Sequence, residues 1–107
     1  MDFELVRDKV KKIKISELRS DEKDNYEAVI SKNELGKVNE LLTDYFGPAL
    51  FPSAKELSKQ VLGKIDAFGG IQPGQTLFYA SQGNTVIFAM LWPWGDGQRI
   101  TLKLIKI

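Results

Sequence analysis

Two indoles stand two residues apart in Trp92-Pro93-Trp94-Gly95-Asp96-Gly97, and they are the chain's only tryptophans. Broad aromatic rings close to cations can stack on a base, a sugar or an apolar peptide side chain. Period-two alternation around this string puts Tyr79, Trp92, Trp94, Arg99 and Lys103 on one side of a sheet, as candidate binding residues. Pro93 has no amide proton, so it belongs where a strand ladder ends or faces an edge. The string then reads either as a rigid aromatic tip offered to a partner or as a hairpin clamping the end of the sheet.

Other candidate chemistry is weaker. Lys9, Lys11, Lys12 and Lys14 can contact phosphates, but Asp8 and Glu17 flank them, and such lysines commonly solvate a face or guard a strand edge. Asp21, Glu22, Asp24 and Glu27 lack the spacing and central glycine of a calcium loop and read as a solvated turn. Gly63-Lys64 has Ser58, not Gly, five residues ahead of Gly63, so it is no phosphate-binding loop. Gly69-Gly70 reads as a helix end.

Absent residue types exclude more than the present ones assign. With no His and no Cys, haem ligation by His, thiol nucleophiles, Ser-His-Asp triads and most zinc sites are impossible. Any catalysis would run on carboxylates, Lys, Tyr, Ser or Thr, or on a carboxylate-bound Mg²⁺. No cofactor and no metal are expected. The net charge is +1 over 107 residues; residues 1–20 carry net +2, 21–46 net −4 and 47–107 net +3. These extremes are too mild to signal nucleic acid.

These side chains need elements to position them. A chain of this length and composition, with six Phe, three Tyr and two Trp, fits a single domain over 1–107. No apolar run approaches the ~20 residues that span a bilayer, and the charged start is no secretory signal, so a cytoplasmic protein without membrane contact is expected. Phe3, Val6, Val10 and Ile13 recur at spacings of three and four, and Asp2 can cap them, which predicts a helix over 3–9. Alternation through Ile13 and Ile15 predicts a strand over 10–19, and Tyr26–Ile30 a second strand paired with it across a polar turn.

Two longer helices follow. One starts at Asn33 with the stripe Leu35, Val38, Leu41, Leu42, Tyr45 and Phe46, and stops at Gly47-Pro48. The other starts at a capping box, Ser53-Ala54-Lys55-Glu56, with the stripe Leu57, Val61, Leu62, Ile65 and Phe68. After a Pro73-Gly74 type II turn, three strands are expected over 75–81, 85–92 and 98–106, with Asp96-Gly97 as a two-residue hairpin loop.

That loop sets the register: Leu91 opposite Leu102, and Ala89 opposite Leu104. One face then holds Phe78, Ala80, Ile87, Ala89, Leu91, Ile100, Leu102 and Leu104. The other holds Leu77, Tyr79, Val86, Phe88, Met90, Trp92, Trp94, Arg99, Thr101, Lys103 and Ile105. The aliphatic face should lie under the two longer helices. The aromatic face is either covered by residues 1–20 or left open to a ligand, with Trp94 exposed in both cases.

The fold expected is α+β: a mainly antiparallel sheet of about five strands, two amphipathic helices packed on one face, and a C-terminal three-stranded meander. The function expected is a non-catalytic binding or interaction module that meets a protein or small ligand through the aromatic face and the Trp-Pro-Trp tip. A single-stranded nucleic-acid binder is the second reading and a small carboxylate-based enzyme the third. Nothing in the sequence sets the oligomeric state.

Overall fold

The computed structural model describes residues 2–53 and 56–107. Five antiparallel strands form one sheet: β1 (Glu17–Glu22), β2 (Asn25–Ser31), β3 (Thr76–Gln82), β4 (Thr85–Pro93) and β5 (Arg99–Lys106). Their spatial order is β1-β2-β5-β4-β3. The α+β class and the C-terminal meander are thus as expected. The meander runs inward from the far edge until β5 pairs with β2, which leaves β1 and β3 outermost.

The expected register holds. Leu91 pairs with Leu102 and Ala89 with Leu104. The hairpin loop itself differs, because Trp94 and Arg99 close it with a 2.8 Å backbone bond and Gly95–Gln98 form four loop residues. Asp96 stabilises this wider loop by accepting from the amides of Gln98 and Arg99 at 2.9 and 3.1 Å. Both loops give the same pairing, so the face assignments are unaffected.

Two helices do pack on one face, but they are not the expected pair. Helix α1 (Phe3–Lys11) buries Phe3, Val6 and Val10 on the aliphatic face, and α2 (Leu35–Phe46) buries Val38 and Leu42 beside them. Each such side chain contributes roughly 1.5–3 kcal/mol when fully buried. Asp2 caps α1 by accepting from the Leu5 amide at 3.1 Å, as its position predicts. The helix runs two residues further than expected, and the strand starts at Glu17, not Val10. The amides of Lys12 and Ile13 bond back to Lys9 and Val10, so they are spent on the helix end and cannot enter a ladder.

Helix α3 (Lys59–Ile65) packs on the opposite face with Ile65 buried. The expected capping box is not its start. Ala54 and Lys55 lie outside the described residues, and the cap is Ser58, whose hydroxyl accepts from the Val61 amide at 3.2 Å. The reason is tertiary: Phe51 exchanges backbone bonds of 3.1 and 3.3 Å with Leu77 on the outer edge of β3. The stretch after α2 is thereby tied to the sheet edge, and the helix begins only after it. At α2, too, Asn33 is not the cap. Ser31 accepts from the Asn33 amide at 3.2 Å and opens a 3-10 turn, Lys32–Glu34, that leads into the helix.

The aromatic face is therefore covered in part, and not by residues 1–20. Leu50, Phe51, Leu57, Val61, Ile65, Phe68 and Ile71 pack on Leu77, Val86, Phe88, Met90 and Ile105. A chain leaving α2 must round the β3 edge to continue, and that path delivers it to the second face.

Candidate functional site

Cover on the second face reaches Trp92 and Lys103 and stops there. Cross-strand pairing sets what lies beyond. Trp92 is opposite Thr101, Thr101 opposite Val29, and Val29 opposite Glu17. One step along the strands, Met90, Lys103, Glu27 and Ser20 form the neighbouring row. Trp94 and Arg99 close the hairpin beyond Trp92.

Both indoles and both cations expected from the sequence make specific contacts in this frame. The Trp94 indole donates to Thr101 Oγ1 at 2.8 Å, the diagonal approach expected on one face of a paired ladder. Arg99 places its guanidinium 4.2 Å from the Trp94 ring centroid, and Arg19 of β1 comes within 5.7 Å. Lys103 sits 4.2 Å from the Trp92 centroid, donates to the Phe68 carbonyl at 3.0 Å and meets Glu27 at 3.6 Å. Val29 and Thr101 are buried, although neither belongs to the cluster beneath α3.

Trp94 is half-buried and not freely exposed, contrary to expectation. Its hydrogen bond and its arginine neighbours lay the ring along the sheet. Tyr79 does not join the group: it pairs with Phe88, four residues along β4 from Trp92, which is about 13 Å away at strand rise. Its ring stacks on Phe88 at 6.3 Å, and burial raises the phenol above its ordinary pKa. The candidate site is therefore Trp92, Trp94, Arg99 and Lys103, without Tyr79 and with Arg19, Glu27 and Thr101 added. Glu27 was legible only as a member of the acidic run and Arg19 carried no signal of its own, since their place here depends on β2 joining β5, a pairing between distant segments.

Charge on this surface is matched throughout. Arg19 pairs with Glu17 at 2.9 Å, Arg99 with Asp96 at 2.6 Å, and Lys103 with Glu27. Two amides and the Arg99 guanidinium all donate to Asp96, and they hold its exposed carboxyl down at about 2. Among the described residues, no group of three or more His, Cys, Asp or Glu side chains is placed to hold a metal ion. Asp21, from the acidic run, bonds instead to Lys11 at 2.8 Å. No helix among the described residues is long and apolar enough to cross a membrane.

Comparison with protein-family profiles, with curated proteins and with solved structures finds no match to this chain.

Proposed function

We propose that the protein is a non-catalytic interaction module whose contact surface is the helix-free half of the second sheet face, centred on Trp94. One observation carries this reading. Trp94 is a half-buried indole tied to Thr101 by a hydrogen bond and approached by Arg99 and Arg19, on a part of this face that no helix among the described residues packs against. Trp and Arg are the residue types in which binding energy concentrates, and a ring that is already ordered loses little entropy when a partner docks. A protein segment is the partner this chemistry favours, because a mixed, charge-matched rim around an aromatic centre resembles a protein interface.

Nucleic acid is disfavoured by the same geometry. Arg19, Arg99 and Lys103 each already face a carboxylate, so little free positive charge remains to release counterions from phosphates. An enzyme reading has less support, since Glu17, Glu27 and Asp96 are engaged by these cations.

A photo-crosslinking residue at Pro93, compared with one at Lys64 on α3, tests the proposal in cells. The expected result is a discrete protein adduct from position 93 that disappears in a Trp94→Ala, Arg99→Ala background. Adducts that are equally abundant from both positions, or indifferent to the double substitution, would overturn it. Titration with single-stranded oligonucleotides, followed by tryptophan emission at low and moderate salt, would reveal the competing reading as a steeply salt-sensitive signal.

A further inference from the structure

We infer that the protein self-associates through the groove between α1 and α2, with a second copy of the chain related by a two-fold axis that passes near Leu41. The groove is about 440 Å³ and is lined by Leu5 and Lys9 of α1 and by Lys37, Glu40, Leu41, Asp44 and Tyr45 of α2. Leu5, which lines it, is 49% exposed, among the most exposed large apolar side chains described. The α1 stripe that faces the sheet is Phe3, Val6 and Val10, so Leu5 lies outside it and contributes nothing to the core.

Charge order selects the occupant. Along the outer side of α2 the sequence runs cation, acid, Leu, acid: Lys37, Glu40, Leu41, Asp44. Lys37 and Asp44 are seven residues apart, roughly 10 Å at helical rise. Lys9 stands on the facing helix. Among the described residues Lys9, Glu40 and Asp44 form no ion pair, and Lys37 reaches only Glu34, at 3.4 Å with 74% of its side chain exposed. Opposite charges thus line one groove without meeting inside a single chain.

A surface of this kind is complementary to itself. Rotating a second copy by 180° about Leu41 sets Lys37 of each chain against Asp44 of the other, brings the two Leu5–Leu41 patches together, and runs the two α2 dipoles antiparallel. Every rim pair then occurs twice, and Leu5 leaves water. This groove lies over the aliphatic face of the sheet, and Trp94 lies on the other. The dimer therefore leaves both Trp94 surfaces outward, and its failure would not touch the function proposed above.

Sedimentation velocity of the full chain from about 10 µM to about 1 mM, the range in which a small interface dissociates, is the test. A concentration-dependent monomer–dimer equilibrium is expected for the parent chain and unchanged for Trp94→Ala. Leu5→Glu should stay monomeric throughout, with far-UV circular dichroism confirming the fold. Lys37→Glu and Asp44→Lys should each weaken the dimer about tenfold, and combining them should restore it to within about threefold. A parent chain that is monomeric at every concentration would overturn the inference. So would a dimer indifferent to Leu5→Glu, or a charge-swapped chain that stays as weak as either single variant.

Discussion

Gly69 and the Trp92 indole are packed so closely that a β-carbon at position 69 would overlap the ring atoms Cη2 and Cζ2. Gly69 also ends the 3-10 turn after α3 with φ of 106°, a conformation that L side chains rarely adopt. Steric room and backbone conformation both demand glycine there. Gly69→Ala should cost about 2–4 kcal/mol, combining backbone strain with overpacking against a large ring. Urea denaturation reads this directly, and a midpoint close to that of the parent would show that the Gly69–Trp92 approach is looser than described.

The contact between Trp94 and Thr101 gives a second expectation. Thr101→Val keeps the shape but leaves the part-buried indole N–H without its acceptor, at a cost of about 1 kcal/mol. Trp94→Ala should cost about 1–2 kcal/mol, and Trp92→Ala about 3 kcal/mol or more, because the Trp92 ring is wedged between Gly69 and Lys103. Thermal unfolding of the three variants ranks them. Trp94→Ala emerging as the most damaging would make the hairpin tip a structural clamp and remove the leading residue of the proposed contact surface.

Helix capping separates two serines. Ser58→Ala should destabilise by about 1 kcal/mol, since its hydroxyl satisfies the Val61 amide. Ser53→Ala, at an exposed position ahead of the helix, should stay within about 0.5 kcal/mol. Equal losses in chemical denaturation would place the helix start at the earlier serine after all.

Acid should loosen the hairpin tip before it unfolds the sheet. The Asp96 carboxyl is lowered from 3.8 to about 2 by the Gln98 amide, then by the Arg99 guanidinium and amide. A depressed carboxylate contributes order that is fully present above the unfolded value of 3.8 and is lost as pH falls through about 2. In a Trp92→Phe background, Trp94 emission should therefore change with a midpoint near 2, and Asp96→Asn should abolish that transition. A midpoint near 3.8 would mean that the three donors do not hold the carboxylate in solution.

The register of the β4–β5 hairpin and the face assignments of the meander were determined by the sequence alone, because side chains alternate with a period of two and a hairpin loop sets the pairing sum. Leu91 opposite Leu102 follows from the position of Asp96-Gly97, even though the loop proves to be four residues wide. The α1 cap at Asp2 and the buried stripe of α2 were legible for a similar reason: each depends on neighbours within one or two turns of helix. Tertiary structure decided which helix covers which face. Nothing local to α3 says that Phe51 will bond to Leu77, yet that edge contact carries the chain to the second face, delays the helix to Lys59, and leaves α1 to take its place beside α2. The candidate site divides along the same line. Trp92, Trp94, Arg99 and Lys103 share a face by alternation within one hairpin, whereas Arg19 and Glu27 reach them only because β5 docks on β2, a pairing between segments some seventy residues apart. Amphipathic periodicity states how much apolar surface an element must bury, but only the competition among all such surfaces for one sheet states where.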